Sequence, residues 1–332
     1  MRREDKWPRY VPAPEVRAVL TPRVAIEALK QGFLARDQDL LDSVPRSVLP
    51  IPGPDSQSAG ELLLMPAHGP EGAGLKLVSI VPGNPARGIP LIQGLYILLA
   101  PGSLTPELLI DGAALTGVRT AAVSALATTH LARSSSRHLV VIGAGAQGSA
   151  HADAMRAILP LERVTVVASS THSPRAISLV TRLKADGLDA RVGDHTSIRG
   201  ADVICACTTS TAPVFDDADV REGTHINAIG AYRLDMRELP VETLKRALLV
   251  VESIEATREE AGDVVAAIKA GALPEAGFAR ALSDVVGGHV SRTDDRQVTV
   301  FKSVGLSAED LILARALAGA LRSGVAGGAP PR

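Results

Sequence analysis

The sequence is short of the residues that would tie it to a membrane, a nucleic acid or an oxidising compartment. Its 332 residues hold only two cysteines, too few for a disulfide framework. Both sit in Val203-Ile-Cys205-Ala-Cys207, a β-favouring run. That reads as two small buried thiols in preference to a local disulfide or a two-ligand metal site. Aromatic residues make up 2% of the chain and no polybasic block is present. Few rings are therefore there to stack bases, which argues against nucleic acid as a partner. No apolar run approaches the about 20 residues that span a bilayer, so no membrane partner is expected. The start, Met1-Arg-Arg-Glu-Asp-Lys6, lacks the apolar core of a signal peptide. There is no Gly-x-Ser-x-Gly elbow and no His-Glu-x-x-His, and the histidines do not fall at metal-ligand spacing. The expectation is a soluble cytoplasmic protein without a resident metal.

What is present is a core and a glycine loop. Hydrophobic residues make up 46% of the chain, and the length suits two domains. His138-Leu-Val-Val-Ile-Gly143-Ala-Gly145-Ala146-Gln147-Gly148 opens with four β-favouring residues, Leu139 to Ile142, as a strand buried on both faces does. Gly-x-Gly-x-x-Gly follows, then a helix-compatible run to about Leu159. Gly143 permits a tight turn, Gly145 lets a pyrophosphate approach the backbone, and Gly148 lets the helix pack near the strand. The helix start, at Ala146 and Gln147, offers N–H groups and a partial positive charge to phosphates. A dinucleotide site is expected here.

From Arg137 onward strands and helices alternate: Leu139–Ile142, Arg163–Ala168, a helix from about Pro174, Val203–Cys207, His225–Ile229 and Ala247–Val251. This is the rhythm of an α/β fold with a Rossmann-type doubly wound parallel sheet. The second strand bears on the cofactor. An enzyme that uses NAD usually ends it with Asp or Glu, which accepts from the ribose 2′-OH. Here the strand runs into Ser169-Ser170-Thr171-His172-Ser173-Pro174-Arg175, with hydroxyls and an arginine in place of a carboxylate. A 2′-phosphate favours such donors. NADPH/NADP is therefore predicted, with NAD as the second choice. Ser170 or Ser173 could equally cap the helix at Pro174.

Residues 45 to 100 have a different character. Short β-favouring pieces, Glu61–Met65, Leu75–Ser79 and Leu95–Leu99, lie between Pro and Gly, as in a separate antiparallel α+β layer. A helix from Thr21-Pro22, with Val24, Ala25, Ala28, Leu29 and Phe33 at helical spacing, precedes them. Residues 1–19 read as an extended lead-in. Asp111 to Ser134 reads as a turn followed by a helix, Ala121 to Leu131. Three cations stand out: Arg46 after a proline, Lys76 inside an apolar strand, and Arg119 in Leu115-Thr-Gly-Val-Arg119-Thr120-Ala-Ala122. Each alone can be a surface charge. Together they suit a carboxylate, which an arginine fork and a lysine point charge hold well. After His225-Ile-Asn-Ala-Ile-Gly230, Asp235 and Glu238 either face the bound cofactor or begin the next helix. The last helix, from about Ala308 to Leu321, lies beyond the nucleotide fold's own elements.

Pro45-Arg46, Met65-Pro-Ala67, Lys76-Leu-Val-Ser79, the Leu115–Ala122 segment, Gly143–Gln147, His225–Gly230, Glu260-Ala-Gly-Asp263 and Phe301-Lys-Ser303-Val-Gly305 follow one another in a recognisable order. In these pieces the sequence resembles the ornithine cyclodeaminase/μ-crystallin family of NAD(P)-dependent enzymes over nearly the whole chain. The resemblance implies a homodimer and a discontinuous substrate-binding and dimerisation domain, 20–119 plus 306–323. An NADP-binding domain, 120–305, and a disordered tail, 324–332, complete the chain. It implies that Arg46, Lys76 and Arg119 bind the substrate carboxylate, with Lys76 and Arg119 catalytic. It also implies that Thr120, Thr208, Gly230, Ser303 and Gly305 join the glycine loop and the Ser169–Arg175 segment in holding the cofactor.

Two departures separate the sequence from cyclodeaminases. Their acid/base aspartate, two residues after the glycine of His-Ile-Asn-Ala-x-Gly, is here Tyr232, a phenol whose pKa of about 10 ill suits that role. Their glutamate two residues before Met-Pro is here Leu63. A second ammonium group on the substrate then has no evident partner. The pattern Gly230-Ala-x-x-x-Asp235-x-Arg237-Glu238-Leu239 is closer to the ketimine reductase branch. The expected activity is NADPH-dependent reduction of a small cyclic imino acid, Δ1-pyrroline-2-carboxylate or Δ1-piperideine-2-carboxylate. The alternatives are an ornithine cyclodeaminase with bound NAD, a dehydrogenase of alanine or arginine, and a binding protein of μ-crystallin type.

Overall fold

The structure is a computed structural model that describes residues 8–36, 42–43, 45–53 and 58–324. It divides into two compact units, Met1–Arg119 with Leu306–Arg332, and Thr120–Gly305. Residues 1–7 of the expected lead-in and 325–332 of the expected tail lie outside the described residues.

The first unit is built on a largely antiparallel sheet. Its path runs Arg9–Val11, Pro106–Asp111, Ile92–Leu99, Gly72–Ile80, Ser58–Gly69 and Asp42–Ser43, and Ser47–Pro52 also pairs with Ser58–Gly69. Along Gly72–Ile80 the alternate residues Gly74, Lys76 and Val78 are buried and the others only partly so, as in a sheet with one face on a core. Helices Pro22–Arg36 and Ser307–Arg322 belong to this unit; Ala25, Leu29 and Phe33 of the former are buried, whereas Val24 is exposed. The expectation of an extended lead-in is corrected for its described part. Arg9–Val11 pairs in parallel with Pro106–Asp111, and Ala13–Val19 is a helix that buries Val16 and Val19. Its prolines sit at the helix start, where a missing N–H costs nothing.

The turn expected before Ala121 is also corrected. Gly112–Leu131 is one helix. Asp111 Oδ1 accepts from Ala114 N at 2.8 Å and ends the strand with a cap, and Leu115 is fully buried.

The second unit is an all-parallel sheet in the order Asp189–Gly193, Arg163–Val167, His138–Ile142, Val203–Ala206, His225–Ala228, Thr299–Lys302, Leu248–Val251 and Arg280–Ala281. Helices Ala146–Ile158 and Pro174–Ala185 follow the strands His138–Ile142 and Arg163–Val167, and Ser173 caps the latter helix through Ala176 N. Every residue of His138–Ile142 is buried, which fits its central place. Cys205 and Cys207 are thiols, and burial raises the Cys205 pKa to about 12. Among the described residues no three His, Cys, Asp or Glu gather as metal ligands, and no helix is long and apolar enough to cross a membrane.

Candidate active site

In the first unit two of the three cations, Lys76 and Arg119, meet two carboxylates. Lys76 lies in a cross-strand row with Met65 and Tyr96 as its direct partners, so all three point to one face of the sheet. Lys76 is 1% exposed. A bare ammonium there would be very costly, and the last helix supplies its counter-charge. Asp310 Oδ2 accepts from Lys76 Nζ at 2.6 Å. Arg119 Nη1 donates to Glu309 Oε2 at 2.9 Å, and Arg119 Nε lies 3.6 Å from Asp310 Oδ1. Glu309 and Asp310 occupy the first turn of Ser307–Arg322, where the helix dipole favours anions.

Arg46, half-buried beside the strand Ser47–Pro52, adds a third positive charge felt by Lys76. Burial lowers the Lys76 pKa to about 8, with Arg119 and Arg46 pushing the same way and Asp310 opposing them. Lys76 is thus still an ammonium at neutral pH, but one close to giving up its proton. Met65 in the row and Leu63 beside it are both buried, and the Tyr96 hydroxyl has no hydrogen-bond partner among the described residues.

In the second unit the glycine loop has the shape that its spacing predicts. Gly143 has φ +102°, in the region that favours glycine. A Cβ on Gly148 would lie 1.9 Å from Gly143 O, so the helix can start this close to the strand only with glycine. A Cβ on Gly145 would meet nothing within 4 Å, leaving open space above the start of Ala146–Ile158. The buried Gln147 Oε1 has no partner among the described residues. An N-terminus with open space before it and an acceptor-seeking row of N–H groups fits a pyrophosphate. At the end of the second strand Ser169, Ser170, Thr171 and Arg175 are exposed, and Ser170 Oγ accepts from His172 N at 3.1 Å within the turn. Thr120 is buried in Gly112–Leu131, and its carbonyl accepts from Ser124 Oγ.

Thr208 and Gly230 sit on the loops that follow the next two strands, and these loops touch. A Cβ on Gly230 would lie 1.8 Å from Thr208 O. Glu238 binds both loops: Oε1 accepts from Thr208 N and Thr208 Oγ1 at 2.6 and 2.8 Å, and Oε2 accepts from Gly230 N at 2.6 Å. Both readings of Asp235 and Glu238 as helix starters are corrected. The helix begins at Val241 after Pro240, Asp235 is exposed on Arg233, and Glu238 is fully buried. Ser303 and Gly305 are held likewise by Glu252, which accepts from Ser303 Oγ at 2.6 Å and Gly305 N at 2.8 Å. Tyr232 packs against the apolar core of this unit.

Sequence reasoning missed Glu309 and Asp310 as partners of the cations, Glu252 as the support of Ser303 and Gly305, and Asp263, which accepts from Glu238 N at 2.6 Å and lies 3.1 Å from Lys302 Nζ. Acidic residues at a helix start read as ordinary dipole partners. Only the near-total burial of their side chains marks them out.

The pattern of the ornithine cyclodeaminase/mu-crystallin family matches residues 15–324. The chain is 35% identical over 283 residues to a Δ1-pyrroline-2-carboxylate reductase of Bacillus cereus, covering 83% of this chain and 86% of that one. It is 34% identical over 315 residues to a Δ1-pyrroline-2-carboxylate/Δ1-piperideine-2-carboxylate reductase of Azospirillum brasilense, covering 95% and 96%. Among solved structures it resembles the Δ1-pyrroline-2-carboxylate reductase of Thermococcus litoralis in complex with NADH and L-proline. The TM-score is 0.88 at 29% identity, over 96% of this chain and 99% of that one. The chain belongs to the ornithine cyclodeaminase/mu-crystallin family.

Proposed function

We propose that the chain is an NADPH-dependent reductase of cyclic ketimine carboxylates, converting Δ1-pyrroline-2-carboxylate or Δ1-piperideine-2-carboxylate to L-proline or L-pipecolate. The observation that carries this reading is the buried group of Arg119 and Lys76 with Arg46 close by, beside apolar Leu63 and Met65. The apolar neighbours suit a ring without a second charged group.

Arg46 and Arg119 hold the carboxylate and so fix the orientation of the C=N carbon. Lys76, an ammonium at neutral pH, binds the same carboxylate or keeps the ring nitrogen protonated, which makes the carbon electrophilic. The dinucleotide, when bound, supplies the hydride to that carbon, and the nitrogen keeps the proton. Gly143, Gly145, Ala146, Gln147 and Gly148 hold its pyrophosphate. Ser169, Ser170, Thr171 and Arg175 favour a 2′-phosphate, since no carboxylate follows the second strand. Thr120, Thr208, Gly230, Ser303 and Gly305 complete the cofactor contacts. A homodimer is part of the proposal. In its support, Ser47–Pro52 exposes Val48, Leu49 and Ile51, and light scattering is expected to give twice the 34.5 kDa of one chain.

The test is NADPH oxidation with each ring, beside an Arg119→Ala control. Rapid oxidation that the control loses is the expected result. Ammonia release from ornithine without net NADPH consumption would overturn the proposal in favour of a lyase.

A further inference from the structure

We propose that Glu238 is a positioning residue that clamps the two loops under the nicotinamide half of the cofactor, an inference that rests on the function proposed above. In an open parallel sheet the dinucleotide lies across the carboxyl ends of the strands. The pyrophosphate belongs over Gly143–Gly148, after the strand His138–Ile142, and the adenosine end over Ser169–Arg175, after its neighbour Arg163–Val167. The remaining half must then extend the other way, over the ends of Val203–Ala206 and His225–Ala228. Those ends carry Thr208 and Gly230, the two positions that Glu238 binds.

The clamp is continuous and closed to water. Glu238 accepts three hydrogen bonds, two from backbone N–H groups and one from a hydroxyl. Its own N–H and that of Leu239 donate to Asp263 Oδ1 at 2.6 and 2.9 Å. Asp263 Oδ2 in turn lies 3.1 Å from Lys302 Nζ, with both side chains wholly buried. Lys302 ends the next strand of the sheet, Thr299–Lys302, so three consecutive strand ends are tied through one carboxylate pair. Arg237 N donates to Ser210 O and Val214 N to Glu238 O, each at 2.9 Å, which lays the 208–214 loop alongside Glu238. Two of the three partners, the Thr208 and Gly230 N–H groups, can only donate, one to each carboxylate oxygen, so both Glu238 oxygens must accept. An amide at this position would turn an N–H₂ toward Gly230 N–H or Thr208 N–H and break that side of the clamp.

The experiment compares two ligands on the full-length protein. Reduced-nicotinamide fluorescence gives the affinity for NADPH, and calorimetry gives that for 2′,5′-ADP, which lacks the nicotinamide half. Glu238→Gln is expected to weaken NADPH at least 10-fold while changing 2′,5′-ADP less than twofold. Asp263→Asn, which takes the charge from the acceptor of the Glu238 and Leu239 N–H groups and touches none of the proposed cofactor contacts, should weaken NADPH about threefold with the same selectivity, and serves where the glutamine variant does not fold. Equal losses for both ligands would mean general loosening of the unit and would overturn the inference, as would unchanged NADPH affinity. A wild type that binds neither NADPH nor NADH overturns the proposed function itself, a result distinct from either.

Discussion

Asp310 Oδ2 stands 2.6 Å from Lys76 Nζ, and neither side chain has meaningful contact with solvent. The pairing works against burial, which is the larger influence and brings the Lys76 pKa down to about 8. Binding of a carboxylate such as L-proline is then expected to weaken as pH rises through about 8, where Lys76 loses its charge. Asp310→Asn removes the influence that raises this pKa, so the weakening should begin at lower pH. Titrating ligand affinity against pH in both proteins checks this, and an unmoved limb would refute it.

Arg119 is oriented by Glu309 at 2.9 Å and by Asp310 at 3.6 Å. Arg119→Ala removes the guanidinium and leaves Glu309 without that partner. Hydrogen bonds to charged groups contribute about 1.5–3 kcal/mol, so kcat/KM should fall about 10- to 150-fold. Arg119→Lys should recover only part of the loss, because an ammonium cannot present the planar fork. Steady-state kinetics with the cyclic ketimine measures both.

Cofactor choice is expected to follow Arg175 and Ser170, both exposed after the second strand. Arg175→Ala should raise KM for NADPH about 10-fold, the value of one charge-assisted contact, with little effect on NADH. Ser170→Asp should turn the preference toward NADH, by repelling the 2′-phosphate and accepting from a 2′-hydroxyl. The ratio of kcat/KM for the two dinucleotides reads the outcome.

Two buried histidines give the fold an acid limit. Burial lowers His151 to about 4 and His225 to about 3. Each is neutral in the folded chain and protonates more readily when unfolded, where the pKa is about 6.5. The unfolded state therefore binds more protons between those values. Stability present above pH 6.5 is lost as pH falls toward 4 and 3. Thermal melting should drop steadily across that window, and His225→Gln should flatten the slope.

The parallel sheet was legible because its strands are short apolar runs that need no partner to be recognised. Val203–Ala206 and His225–Ala228 are buried along their whole length. The polar strand Asp189–Gly193 escaped notice because it lies at a sheet edge with alternate residues exposed. Lys76 could be singled out because a charge inside an apolar strand violates the expected pattern. Its partner could not: Asp310 is 234 positions away, and nothing local in Ser307–Asp310 distinguishes a buried ion pair from a solvated helix start. Glu238 was named as a residue that faces the cofactor or begins a helix, but its hold on two loops escaped for a related reason. Its three donors come from loops 8 and 30 residues distant, which only folding brings together.

The Lys76–Asp310 pair also has a thermodynamic meaning for the fold that carries it. Two ions withdrawn from water rarely repay their dehydration, and apolar replacements of similar volume often stabilise a protein by about 1–4 kcal/mol. The face of the sheet around Lys76 offers Met65 and Ile110, both buried, as ready neighbours for such a replacement. Lys76→Met joined with Asp310→Leu would on this argument melt at higher temperature than the natural chain, and bind no carboxylate. The chain thus keeps a weak point among its buried side chains, and tolerance to other mutations in that unit is correspondingly smaller.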